Sequence, residues 1–417
     1  MLETEVLIVG AGPVGLLSAL ALAQQKVRVT VIEAESALND SPRAAVYFPT
    51  SLLAIQELGV LEDLDRRGLR AQRYGHHVPD LNYRGVVSLE VLTGITFDYQ
   101  IHAGQNVLGE VALEHAQREG ARVLFNHRIT GLQQDAQAVT ARIATPAGDI
   151  DIRADWVIGA DGARSSVRKL LGLQFEGHTW PNRFVATNVY FDFASLGYEP
   201  ANFVCDPVYG GVIALLDHEG LWRLTYQEDG ALPVEAFMER LPERYAHFIP
   251  PGMKYEIKAA RPYTLHQRCT ERLRVGRVLL AGDAAHATNP CGGLGLTTGL
   301  WTGMILTDLL GAVIAGDADA QILDRYSDER RRVFWEVTSP GATENKRMLE
   351  EKDPEQRRRD LDLVHAAVTN PDSARLMMGF PFKVIGDPIR AESRWRYMDP
   401  MAEAGVDLGA RRSQVGS

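Results

Sequence analysis

Three short glycine-bearing turns hold the residues best suited to chemistry. The first reads GAGPVG, with Gly10, Gly12 and Gly15 spaced around Pro13 and Val14. The second is Asp161-Gly162, and the third is Gly282-Asp283, followed by the loop NPCGGLGL. Glycines at the first spacing let a chain turn tightly, approach a pyrophosphate and pack a helix close to a sheet. Amide hydrogens at the start of the following helix then face the phosphates with a partial positive charge. Glu33, with Ala34 after it, can accept hydrogen bonds from ribose hydroxyls. An aspartate at a strand end beside a glycine turn, such as Asp283, can bond the hydroxyls of a polyol. Glycines after Pro290 let backbone amides come close to a flat ring.

These turns need elements to hold them. VLIV before the first turn is a short β-branched run, as in a buried parallel strand. LLSALALAQQ has helical composition, and KVRVTVIE is a second strand ending on Glu33. This βαβ order makes the first turn a dinucleotide site, while leaving NAD and FAD both open. WVIGADG and GRVLLAGDA repeat the pattern of strand, then Gly/Asp turn. A ribityl chain, which a nicotinamide nucleotide lacks, gives the third aspartate a partner and tips the reading towards FAD.

The chain has 417 residues, 45% of them hydrophobic, and a net charge of −10. That length gives two to three domains' worth of chain, and the acidic balance argues against nucleic-acid binding. Cys205, Cys269 and Cys291 form no CxxC pair, so no zinc site or disulfide framework is expected, and a cytoplasmic location fits. Residues 6–23 carry no charge, but glycines and a proline interrupt them and Glu3 and Glu5 precede them. No membrane span or leader is expected there.

The three turns in this order resemble the flavoprotein aromatic hydroxylases of the p-hydroxybenzoate hydroxylase type, over residues 4–345. The resemblance implies an α/β fold: a Rossmann-like FAD-binding domain, an inserted antiparallel-sheet substrate domain and a C-terminal helical region. It implies non-covalent FAD, NAD(P)H and O₂ as co-substrates, and hydroxylation of a small electron-rich aromatic or heteroaromatic ring through a flavin C4a-hydroperoxide. It assigns Asp283 to the ribityl chain, and Gly293, Gly295, Leu296 and Thr297 to the flavin ring. It also assigns Arg43, Gln105, Ile129 and Asp161 to the cofactor. Phe48 stands where several members carry a histidine near the substrate. The loop NPCGGLGLTTG departs from the commoner PxxGQGMNxG. Other flavin oxidoreductases of this fold, such as halogenases or isoprenoid reductases, and a non-enzymatic flavin protein are the alternatives. FIPPG at 248–252 lacks the tryptophans of a halogenase segment.

Between the second and third turns, FVATNVYFDF, ANFVCDPV, GGVIALLD and GLWRLTYQ alternate as strands do. The expected divisions are 1–175 with 262–345 for FAD, 176–261 for the substrate sheet and 346–417 for the helical segment. A sheet roofing the flavin would place substrate between sheet and ring. Tyr209, Tyr226 and Tyr263 are candidates for ionising the substrate, with His218, His266 and Arg223 as alternatives. Phe48, Tyr209, Arg223, Pro290 and Cys291 are candidates for touching it. Tyr209 is favoured because VYGGV breaks the strand pattern. Trp222, Leu224 and Tyr226 share one face and Arg223 and Thr225 the other, with the flavin-facing side open. Plainer roles stand beside these: Asp161 as a helix cap, His286 as a packing residue, Cys291 as a small apolar wall and 350–360 as a solvated helical face. A monomer or homodimer is expected.

Overall fold

The structure is a computed structural model, and it describes residues 2–40, 45–396, 398 and 400–408. Among the described residues two large sheets organise the chain. In the first, Val278–Leu280, Gly148–Gly159, Leu2–Val9, Val29–Ile32 and Arg122–Leu124 lie side by side and parallel. Val6, Leu7, Ile8, Val31, Ile32, Leu279 and Leu280 are fully buried, as strands covered on both faces require. The helices Pro13–Gln24, Gln105–Arg118 and Leu294–Ala315 pack on this core. Leu294–Ala315 is long and apolar enough to cross a bilayer, but 78% of its most apolar window is buried inside the protein. It is the central core helix.

The second sheet runs His286–Ala287, Glu256–Thr270, Phe175–Tyr190, Leu221–Asp229, Gly211–Leu215, Ala201–Val204, Arg73–Val78, Tyr83–Ser88. The strands expected between the second and third turns all form. Arg73–Val78 and Tyr83–Ser88 were not expected there. They join because Arg73–Val78 pairs in parallel with Ala201–Val204, a partner remote in sequence. The divisions expected at 175, 262 and 346 therefore do not follow the elements. Residues 73–88 belong to the second sheet, 262 falls inside Glu256–Thr270, and 346 falls inside the helix Ser339–Glu350.

The two faces of the second sheet differ. Val185, Trp222, Leu224 and Tyr226 pack under the helix Phe237–Tyr245, with Leu241, Tyr245 and Phe248. Tyr74, Phe184, Phe203 and Leu265 face the other way, towards Cys291, Leu349, Phe48 and Tyr263. Period-two alternation makes this assignment consistent along each strand. A small third sheet, Val46–Tyr47, Gln100–His102 and Leu69–Ala71, is separate from the two large ones, and His102 Nδ1 ties it to the second by donating to the Leu215 carbonyl at 2.7 Å.

Candidate active site

The glycine turns converge because their strands are neighbours. Gly282-Asp283 follows Val278–Leu280, Asp161 follows Gly148–Gly159, Gly10 follows Leu2–Val9 and Glu33 follows Val29–Ile32. Four adjacent C-terminal strand ends thus carry the four motifs, which is where open parallel sheets bind ligands. Gly10 has φ +108°, and a Cβ on it would lie 2.5 Å from the Ala160 carbonyl oxygen. A Cβ on Gly15 would lie 2.0 Å from the Gly10 carbonyl oxygen. Gly12 has an ordinary extended backbone, and a Cβ there would meet no described atom within 4 Å. Neither conformation nor internal packing asks for glycine at 12, so its bareness keeps space open for something outside the chain.

Two helices begin in this space, Pro13–Gln24 after Gly12 and Leu294–Ala315 after Gly293. Among the described residues no side chain caps either start. Val14 seats them together, because a Cβ on Gly282 or Gly299 would lie 3.1 or 3.3 Å from its methyls. Glu33 accepts the Ala11 amide at 2.8 Å, so the expected ribose acid already lies against the first turn. Ala34 is half-buried beside it, and the main chain before Ile129 is tied there by the His127 amide donating to the Glu33 carbonyl at 2.8 Å. The Ile129 side chain itself is in the core. Gln105 opens the helix Gln105–Arg118, half-buried, and Asp283 and Pro290 are exposed. Gly295 and Leu296 are half-buried, and the buried Thr297 hydroxyl accepts from Ser51 at 3.3 Å. Arg43 lies outside the described residues.

Asp161 uses its carboxylate locally. It accepts from the Ser165 hydroxyl at 2.5 Å and the amides of Ser166 and Val167 at 2.6 and 3.1 Å. Ser165 is the cap of the helix Ser166–Leu170, its hydroxyl accepting the Arg168 amide at 3.0 Å, and Asp161 supports that start from behind; burial raises the Asp161 pKa. Arg168 then joins the second turn to the third. Its guanidinium donates to the carbonyls of Ala284 at 2.8 Å and Ala163 at 2.7 Å, and lies 3.8 Å from the centroid of Phe175.

The substrate candidates divide between the sheet's two faces. Tyr226 lies under the Phe237–Tyr245 helix, and Tyr209 stacks on His247 beside Arg244 at that helix's end. Both point away from Cys291 and leave the candidate set. The break at VYGGV is a surface turn between Ala201–Val204 and Gly211–Leu215. His218 Nε2 donates to the Gly68 carbonyl at 3.1 Å, and His266 pairs with Thr179; neither lies on the inward face.

On the inward face stand Tyr263 and Arg223. Tyr74, His76, Phe203, Arg223 and Thr225 each keep 8 or 9% exposure there, while Leu224, Tyr226 and Ile213 on the other face keep 0 or 1%. That residual access lies on the sheet face turned towards the glycine loop, although Phe184 and Leu265 on the same face keep only 1%. Cys291 and Phe48 pack against that face, and a Cβ on Gly293 (φ +64°) would lie 2.4 Å from the Phe48 ring. Burial pushes the Cys291 thiol up, so it is an apolar wall rather than a nucleophile. Burial brings the Arg223 pKa down to about 10, with Tyr263 and Tyr47 opposing, so the guanidinium stays charged at neutral pH. It donates to Asn188 Oδ1 at 3.0 Å. Tyr74, His76 and Tyr47 escape the sequence reading, although the alternation in RYGHHV carried the signal for the first two. His286 is buried, bonds Thr302 at 2.8 Å and stacks on Phe334, as a packing residue does.

The family model described as an FAD binding domain matches residues 3–340. A para-nitrophenol 4-monooxygenase of Pseudomonas sp. (strain WBC-3) is 42% identical over 360 residues, covering 85% of this chain and 89% of that protein. This chain belongs to the flavin-dependent aromatic hydroxylases. The hydroxylase is also 40% identical over 362 residues to the 6-hydroxy-3-succinoylpyridine 3-monooxygenase of Pseudomonas putida (strain DSM 28022 / S16), covering 86% of this chain and 92% of that one. The crystal structure of p-nitrophenol 4-monooxygenase PnpA from Pseudomonas putida DLL-E4 matches with a TM-score of 0.89 and 41% identity, covering 93% of this chain and 99% of that one. The hydroxylase is an FAD-dependent monooxygenase using NAD(P)H and O₂ on an aromatic substrate. The bare Gly12 and the two uncapped helix starts fit that cofactor; Asp283, Glu33 and the amides after Gly293 are the groups that would hold it. FAD supplies electron transfer from NAD(P)H to O₂ and delivery of one oxygen atom to the ring. The chain would supply its orientation and the charge around it.

Proposed function

We propose that this hydroxylase acts on a single-ring phenol or hydroxypyridine, bound between the inward face of the second sheet and the loop 290–296. The hydroxyl, as its anion, is held by Arg223 with Tyr263 beside it. The observation that carries this reading is a buried guanidinium on the inward face of the sheet, with the phenols of Tyr263 and Tyr47 near enough to act on its charge. A phenolate next to a fixed positive charge loses its proton more readily, and the anion is the better nucleophile towards an electrophilic oxygen. Phe48 and Cys291 pack against the ring and exclude water. The names of the two Pseudomonas relatives, one a nitrophenol and one a hydroxypyridine monooxygenase, support this class. The cysteine usage supports a cytoplasmic site of action.

The test is Arg223→Met in the FAD-loaded enzyme. Loss of a charge-assisted contact worth about 1.5–3 kcal/mol should weaken binding of a phenol ~10- to 100-fold. The pKa of the bound phenol, read from its absorbance, should rise. An unchanged phenol pKa in a folded, yellow variant would remove Arg223 from this role.

A further inference from the structure

We propose that the helix Ser339–Glu350 supplies a second polar subsite of the substrate cavity, built on Lys346 and Trp180, which binds acceptor oxygens of a carboxylate or nitro substituent on the ring. The inference rests on the phenol reading above and adds what the ring must carry. Lys346 has a side chain only 1% exposed and pairs with Glu350. Its ammonium lies 4.4 Å from the centroid of the Trp180 ring. Trp180 packs with Cys291, Phe184 and Tyr263, the same side chains that wall the cavity. The charges of Lys346 and Glu350 bear directly on the Cys291 thiol, and Asn345 of the same helix donates to the Cys291 carbonyl at 3.5 Å.

The cluster is incomplete in a way a packing cluster is not. Trp180 Nε1 and Asn182 Oδ1 are buried, and neither has a hydrogen-bond partner among the described residues. Asn182 is oriented, because its amide donates to Gln227 at 3.0 Å and Glu350 at 3.1 Å. A buried donor without a partner is a standing cost, and so is a buried ammonium with one carboxylate for its three hydrogens. A ligand oxygen pair would take the Trp180 N–H and a Lys346 hydrogen together. Glu350 balances the charge of the lysine, so the subsite offers hydrogen-bond donors without net positive charge and accepts an uncharged but strongly accepting nitro group as well.

The experiment uses the FAD-loaded enzyme and four ligands: 4-nitrophenol, 4-hydroxybenzoate, 4-methylphenol and 4-chlorophenol. Kd is read from the flavin absorbance change, and kcat and KM from NAD(P)H oxidation and product. Trp180→Phe, which removes only the donor, and Lys346→Met should each raise Kd for the nitro and carboxylate ligands at least tenfold more than for the methyl and chloro ligands. Lys346→Arg should recover part of that discrimination. Equal factors for all four ligands in both variants, or no change in either, would overturn the subsite. If the unaltered enzyme neither binds nor hydroxylates any of the four, the phenol reading itself falls, and the subsite with it.

Discussion

Gly12 differs from its neighbours in what a side chain would do there. At Gly10 and Gly15 a methyl group collides with main-chain oxygen, so substitution attacks the fold. At Gly12 the added group would stand in open space. Gly12→Val should therefore give a protein with unchanged circular dichroism that purifies colourless and takes up no FAD. Gly15→Ala should lose both cofactor and much of its stability. A Gly12→Val protein that stays yellow would show that the pyrophosphate lies elsewhere. The same scale explains which residues were legible from sequence. The glycine motifs were, because their reason is local: a turn, a close approach, a helix start. Tyr209 was not, because VYGGV looks the same whether the break serves a cavity or a surface turn. Lys346 drew no attention because one buried lysine on a polar helix resembles its solvated neighbours until the partner Trp180 is seen.

Between elements, the decisive contact is the crossing of Pro13–Gln24 with Leu294–Ala315. Gly303 sits at it, and a Cβ there would lie 2.8 Å from Ser18 Oγ and 3.2 Å from a Val14 methyl. Gly303→Val should overpack the crossing, cost about 1–3 kcal/mol and weaken FAD binding, because Val14 also carries the first turn. The check is thermal unfolding with and without added FAD; an unchanged melting temperature would argue that the two helices can separate freely. The elements also explain the half-legible sheet. Alternation in GLWRLTYQ gave two faces correctly but not which one looks inward, since either face can be apolar when a helix covers the outer side. Arg73–Val78 was missed as part of this sheet because its partner strand lies remote in sequence, and no local pattern reports such a pairing.

At the scale of the whole molecule, the C-terminal region belongs to the main core. Trp395 is 1% exposed, sits 5.3 Å from Trp301 between ring centroids and donates to the Met304 carbonyl at 3.1 Å. Trp395→Ala should cost about 3–5 kcal/mol, read from denaturant unfolding. Acid should act globally too. Burial lowers the pKa of His76 and His102 to about 4 and of His286 to about 3. Each is lower folded than unfolded, so unfolding takes up protons below about pH 6.5. Their contribution is complete above that pH and is lost as pH falls towards 4. From pH 6 to 5 the three together should remove about 3 kcal/mol of stability. His286→Gln should reduce the drop by about a third; a midpoint that does not move over this range would refute the assignment of these imidazoles as neutral.

Two strands described above, Phe175–Tyr190 and Glu256–Thr270, run paired from the middle of the substrate sheet down to the cofactor turns. Anyone wishing to transplant a new specificity onto this enzyme inherits that fact. A splice at 176 and 261 would cut through both ladders and strand their edges. Junctions at the surface turns near 208–210 and 217–220 leave the ladders whole, so a graft bounded there should yield a soluble, flavinated chimera where the wider exchange aggregates.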